Sequence, residues 1–282
     1  MFDVWHPLHI VRSDASLFYR IYYYLKFIFK WIRNKIFTID YVIADLRDGR
    51  ILVQDVNVKG LKLWREGFFG KGTLSRGAPT WAYRMHLDDQ SESLYQARNK
   101  KVHIETTSED YILSPEEAFY LCAIDRLKIF RGPGSSYQTL TQLWDYFSMK
   151  SDDTFDDYEE LAPRFPIRFA VYHYYRYKKW VVRPGLKYGA DFVLYKKGPS
   201  LDHSKYLVVI MPTIDETAPL NRDWKWALLM SRLSSQVKKK LVICFVLLPT
   251  DFQASKLLQI DILFRIKIWD VEISRWVPNR SA

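Results

Sequence analysis

Residues 185–211 read GLKYGADFVLYKKGPSLDHSKYLVVIM, and the rest of the chain is organised around them. Ala190–Lys196 is a β-type run containing Phe192, Val193, Leu194 and Tyr195. Gly198-Pro199 signals a turn, and Tyr206–Met211 is a second apolar run. Two short runs joined by a Gly/Pro loop predict an antiparallel hairpin. Tyr195 ends its first strand and His203 just precedes its second.

Residues 223–236, DWKWALLMSRLSSQ, contain no Gly or Pro. Apolar residues recur at helical spacing through Trp224, Ala227 and Leu228, and through Trp226, Leu229 and Leu233. Asn221 or Asp223 supplies the N-cap. Lys239–Leu248 is then a continuous apolar run, as expected of a buried strand. Strand, helix, strand is a βαβ unit, so its two strands run parallel. His203 and Lys239 precede those strands at the same end. With the strands adjacent, Tyr195, His203 and Lys239 are expected to converge at one edge.

A phenol, an imidazole and an ammonium at one point suit attack of an RNA 2′-hydroxyl on its own phosphate. That reaction needs a base for the hydroxyl, an acid for the leaving 5′-oxygen and a cation for the crowded phosphate. It needs no metal and no cofactor. Free tyrosine titrates near ~10 and is a poor base at neutral pH. Lys196, Lys197, Lys205 and Lys239 are expected to lower that value.

The stretch resembles the catalytic domain of the tRNA-splicing endonuclease family, and within it the eukaryotic catalytic subunit assigned to the 5′ splice site. The resemblance rests on YHYYRYKKWVVRPGLKYGADFVLYKKGP (172–199), HSKY (203–206), the Lys-x-Leu opening the later strand, and the closing SRW (274–276). The family's tyrosine lies eight positions before its histidine, which selects Tyr195 over Tyr188. Its Lys-x-Leu selects Lys239 from Lys238–Lys240. The resemblance implies Tyr195 as base, His203 as acid and Lys239 as transition-state stabiliser. It also implies cleavage of precursor tRNA to a 2′,3′-cyclic phosphate and a 5′-hydroxyl. Arg232 and Trp276 match positions that sandwich a flipped-out base. The implied assembly is a heterotetramer with a second catalytic subunit and two structural subunits. The implied compartment is the nucleus or, alternatively, the cytosolic face of the mitochondrial outer membrane. The readings set against this one are a noncatalytic paralogue of the same fold and a metal-dependent nuclease using Asp191.

Composition agrees with an RNA partner. The 282-residue chain carries 42 Lys and Arg against 32 Asp and Glu, a net charge of +10. Such an excess favours a polyanion, and 16% aromatic residues offer rings on which bases stack. Cys122 and Cys244 both sit in apolar runs and read as core thiols of a reducing compartment. No Cys/His spacing indicates zinc, and no cleavable secretory signal is expected.

The expected fold is a two-domain mixed α/β chain. Residues 1–37 form a basic amphipathic segment. Within it, 17–37 place Ile21, Tyr24, Leu25, Ile28, Ile32 and Ile36 on one face and Lys26, Lys30 and Arg33 opposite. That pattern suits docking to a core, a protein partner or a membrane surface. Residues 38–150 form a smaller mixed domain. It opens with a hairpin about Asp48-Gly49 and includes a helix starting at Ser114. Its GFFGKGTLSR stretch (67–76) lacks the spacing of a nucleotide loop, which excludes ATP binding on that motif. It resembles the amino-terminal region of the same subunit and reads as structural, with Lys71 and Arg76 as minor RNA candidates. Residues 151–166 form an acidic linker or insert, and 167–282 the nuclease domain, a central mixed sheet flanked by helices. A Tyr-rich helix over 169–180 leads into the hairpin. Leu257–Trp276 closes the chain as a strand with a bulge near Trp269.

Overall fold

The computed structural model describes residues 41–54, 60–73, 110–132, 134–150, 165–213, 223–249 and 259–273. The basic segment 17–37, Arg76, Asn221, Trp276 and nearly all of the acidic stretch lie outside the described residues. The chain forms two compact units, one of Asp40–Gln138 and one that takes in Thr139–Ala282.

In the first unit, β1 (Val42–Arg47) and β2 (Arg50–Val53) pair antiparallel with Arg47 opposite Arg50. Asp48 and Gly49 close the hairpin with φ of 48° and 72°. Two successive left-handed residues make the turn that matches strand twist, which is why Asp-Gly marks it. α1 (Leu61–Gly67), β3 (Lys71–Gly72), β4 (Tyr111–Leu113), α2 (Pro115–Ala123) and β5 (Leu127–Phe130) follow. The sheet order is β3-β4-β2-β1-β5, with β5 parallel to β1.

Ser114 starts α2 with a full capping box: its hydroxyl accepts from Glu117 N–H, and the Glu117 carboxylate accepts from Ser114 N–H. The helix stops at Ala123. Asp125 turns left-handed, at φ 57°. Leu127 and Ile129 are then buried while Lys128 and Phe130 are half-buried, the period of a strand. The glycine-rich stretch is structural here. Tyr111 donates its phenol proton to the Phe69 carbonyl, and a Cβ on Gly70 would lie 2.7 Å from the Tyr111 ring. Lys71 is exposed on β3.

The second unit begins earlier than the acidic stretch suggested. α3 (Leu140–Lys150) groups with it because Trp144 packs edge-on against Phe165 and Phe169 of α4 (Phe165–Tyr177), at 5.4 and 6.2 Å. The strands are β6 (Val181–Pro184), β7 (Phe192–Tyr195) and β8 (Tyr206–Thr213). Then come α5 (Trp224–Gln236), β9 (Lys240–Leu247) and β10 (Lys267–Ile273). The order β10-β9-β8-β7-β6 is antiparallel throughout except for the parallel β8–β9 pair. The expected hairpin and βαβ unit are thus both present, and the mixed α/β class holds. Asp223 caps α5, accepting from Trp226 N–H at 2.8 Å.

Alternation divides the sheet's two faces. Val193, Leu207, Val209 and Leu241 form a buried layer with Met230 of α5. Residues of opposite parity meet α4: Tyr172 packs on Phe192 at 6.1 Å, and Tyr174 donates to Asp270 of β10 at 3.0 Å. Cys244 lies wholly inside on β9, and burial pushes its thiol up to about 12, as expected of a core thiol.

Two sequence expectations fail at the ends of this sheet. The sequence pattern assigns no element to Val181–Pro184; it is β6, an edge strand, where Pro184 is tolerated because its missing N–H disrupts no central ladder. β10 pairs one-to-one with β9 from Lys267↔Leu247 to Ile273↔Leu241, with no bulge. The parity shift falls inside a regular edge strand: Ile268 and Ile273 are half-buried on opposite faces and Val271 is exposed.

Candidate active site

Backbone hydrogen bonds stitch the ends of β7, β8 and β9 together. Lys205 N–H donates to the Leu194 carbonyl at 2.8 Å, and Lys240 N–H donates to the Lys205 carbonyl at 2.9 Å. Tyr195, Lys205 and Lys239 therefore occupy one row across three adjacent strand ends. Each is two residues from Val193, Leu207 or Leu241, so the row belongs to the face covered by α5. Tyr195 is half-buried and packs against that layer.

Ser204 joins the row. It is buried, and its carbonyl accepts from Lys239 Nζ at 3.3 Å. Its hydroxyl makes no hydrogen bond of ordinary geometry, yet it lies near enough to the Tyr195 phenol to favour the ionised form. His203, one residue earlier, is exposed on the loop, and its backbone N–H donates to the Asp202 carboxylate at 2.8 Å. The structure thus brings Tyr195 and Lys239 onto Ser204, with the imidazole on the adjacent residue.

Only Lys239 of its basic triplet turns inward. Lys238 sits at φ 54° beyond the helix and is exposed. Lys240 Nζ donates to Glu272 of β10 at 2.5 Å. Lys239 also lies over the Tyr188 ring, 5.2 Å from its centroid. Burial lowers the Lys239 pKa, and the charge of Lys187 lowers it further.

The phenol is not tuned as the lysine-rich sequence suggested. Burial raises the Tyr195 pKa, and Tyr188 adds to the rise; Ser204 and Arg183 only partly offset them. Lys196, Lys197 and Lys205 are exposed and solvated, so the expected lysine-driven depression does not occur. At neutral pH the phenol keeps its proton in the free chain.

Asp191 is not available as a metal ligand. One carboxylate oxygen accepts from Arg168 at 2.7 Å and the other from Ile210 N–H at 2.8 Å. That engagement makes it a strap between α4 and the sheet. Arg232 is exposed on α5 and forms no ion pair among the described residues. Trp276, which the resemblance pairs with it, lies outside the described residues. Sequence reasoning missed Ser204, Arg183 and the Lys187–Tyr188 pair as members of this site. The signal was their place inside the quoted 172–199 stretch and the HSKY motif.

The central strand ends of this mixed sheet thus bring together a phenol and an ammonium, with His203 on the loop that leads into β8. Residues 165–253 match the family described as tRNA intron endonuclease, catalytic C-terminal domain. The matched span opens at the first residue of α4. Over that part of its length the chain is similar to the catalytic domain of that family.

Three relatives are representative. The chain is 34% identical to tRNA-splicing endonuclease subunit Sen2 of Gallus gallus over 174 residues, 60% of this chain and 35% of that protein. It is 34% identical to the probable Sen2 subunit of Oryza sativa subsp. japonica over 171 residues, 58% and 53% of the two chains. It is 24% identical to the probable sen2 subunit of Schizosaccharomyces pombe over 311 residues, 78% and 81% of the two chains. The chain spans about a third of the length of the vertebrate relatives it matches, 35% for both chicken and mouse.

Proposed function

We propose that this chain is a catalytic subunit of a tRNA-splicing endonuclease, cutting precursor tRNA at the 5′ exon–intron junction without a metal ion. The observation that carries the reading is at the strand ends: Lys239 Nζ donates to the Ser204 carbonyl, the Ser204 hydroxyl lies beside the Tyr195 phenol, and His203 is the preceding residue, within a span that matches the intron endonuclease family. In the proposed reaction the substrate 2′-hydroxyl gives its proton to Tyr195 and its oxygen attacks the adjacent phosphorus. Lys239 stabilises the crowded phosphate, and His203 gives a proton to the departing 5′-oxygen. The products are a 2′,3′-cyclic phosphate and a 5′-hydroxyl. Because burial favours the neutral phenol, Tyr195 acts through its small ionised fraction, and loss of its proton precedes attack.

The proposed assembly contains a second catalytic subunit and two structural subunits, with the nucleus as its compartment or, alternatively, the cytosolic face of the mitochondrial outer membrane. Arg232 and Trp276 are proposed to sandwich an unpaired base of the substrate at the partner's junction. A guanidinium and an indole offer two flat faces, and such stacking is worth roughly 1–3 kcal/mol per base. The free guanidinium of Arg232 supports its half of this role. The test is to assemble the complex with Arg232→Ala and Trp276→Ala together and measure cleavage at the two junctions separately. Loss at the partner's junction alone is expected. Equal loss at both, with a lower melting temperature, identifies a packing role instead.

A further inference from the structure

Residues Leu186–Tyr188 form a single 3₁₀ turn between β6 and β7, beside the site just described. Its backbone is closed by Tyr188 N–H to the Gly185 carbonyl at 2.8 Å and Gly189 N–H to the Leu186 carbonyl at 3.1 Å. Gly185 N–H fastens its start to the Asp191 carbonyl at 2.9 Å. A side chain at Gly185 has no room, since a Cβ there would lie 2.7 Å from the Ala190 carbonyl oxygen. The turn is therefore a fixed platform. Tyr188 is half-buried against the layer that also holds Tyr195, while Lys187 is exposed.

Two ammonium groups share the Tyr188 ring. Lys239 Nζ lies 5.2 Å from its centroid and Lys187 Nζ 5.7 Å. Both are within cation–π range. The two charges also feel each other, which is one reason the Lys239 pKa is lowered. Among the described residues neither forms an ion pair with a carboxylate. Like charges held on one ring, Lys187 from the turn and Lys239 from the start of β9, with an aromatic face in place of a counter-ion, call for an anion from outside the chain.

We infer that Lys187 and Lys239, held on the ring of Tyr188, form a two-ammonium clamp for RNA phosphates, Lys187 binding the phosphate next to the one that Lys239 serves. Tyr188 is a positioning residue, acting through Lys239, and Lys187 is a substrate-binding residue. This deepens the function proposed above and rests on it. Lys187 is exposed while its Nζ lies 5.7 Å from the ring centroid, so it is open to a phosphate from solvent. A neighbouring phosphate there satisfies the second cation without entering the chemistry.

The test uses the assembled complex, precursor tRNA and single-turnover cleavage at this subunit's junction, with Lys239→Ala as reference. Lys187 is exposed, so its replacement does not threaten the fold. Lys187→Ala should raise the half-saturating tRNA concentration several-fold and flatten the salt dependence by about one unit of log–log slope. The maximal rate should change little, and Lys187→Arg should restore binding. Tyr188→Leu should lower the maximal rate roughly three- to thirty-fold through the lost ring face, with Tyr188→Phe retaining it. If Lys187→Ala leaves half-saturation and salt slope unchanged while Lys239→Ala abolishes cutting, the clamp is wrong and the site stands. If Tyr188→Phe is as damaging as Tyr188→Leu, the hydroxyl and not the ring is in use, and the clamp is again overturned. If Lys239→Ala itself cuts at the normal rate, the site reading fails, and the clamp with it.

Discussion

At the scale of single residues, the chemistry turns on which groups keep their protons. His203→Ala should slow cleavage by roughly 10²–10⁴-fold, the usual range for a proton donor, while precursor tRNA binding changes little. Comparing Lys239→Ala with Lys240→Ala separates two neighbours with different duties. The first loses the ammonium on Ser204 and should cut slowly; the second loses only a pairing with Glu272 on β10 and should cut normally. The reverse result would move the site by one residue. The pH dependence follows from the same side chains. Lys239 is charged below its folded pKa, which burial and Lys187 lower. Its stabilisation of the phosphate is therefore present at neutral pH and lost as pH rises, at a lower pH than for an ordinary lysine. Lys187→Ala removes the second cause, so the alkaline fall in rate should move to higher pH. The groups facing that ammonium are Lys187, the Tyr188 ring and the Ser204 carbonyl.

At the scale of elements, the site depends on the sheet that carries it, and Asp191 fixes part of that sheet. Asp191→Ala leaves the Arg168 guanidinium and Ile210 N–H without their shared acceptor. It should cost about 2–3 kcal/mol in urea unfolding. Asp191→Asn keeps an oxygen for Ile210 and should cost less; an equal cost for both would assign the whole effect to the ion pair. The elements around this strap were the most legible part of the sequence. Turn chemistry at Gly198-Pro199, the helical period of 224–233 and the apolar run from Lys240 gave β7, β8, α5 and β9 in the right order and directions. The same reasoning failed where period and tertiary context disagree. β6 is too short to show a period of its own, and Pro184 at its end suits only a sheet edge, which a sequence does not display. The change of parity near Trp269 falls inside the regular edge strand β10, where the apolar Val271 is exposed, so apolar spacing there does not mark a buried face. The raised pKa of Tyr195 was likewise illegible: nearby lysines are visible in a sequence, and the burial that outweighs them is not.

At the scale of the whole molecule, the chain combines two units, and the family match falls in the second. The division comes before α3 because the aromatic contacts of Trp144 tie that helix to α4. The acidic composition of 151–166 suggested the later boundary, since composition marks solvated stretches without showing which side an adjacent helix packs on. Among the described residues no helix is long and apolar enough to cross a membrane. The +10 charge suits a large polyanionic substrate, and the account's central claim is that this substrate is cut without a metal. The most direct measurement is cleavage of an intron-containing precursor tRNA by the assembled complex in excess chelator, with analysis of the new ends. The account predicts undiminished cutting at this subunit's junction, giving a 2′,3′-cyclic phosphate and a 5′-hydroxyl, and loss of both ends with His203→Ala. Cutting that stops in chelator, or that leaves a 3′-hydroxyl and a 5′-phosphate, would contradict it.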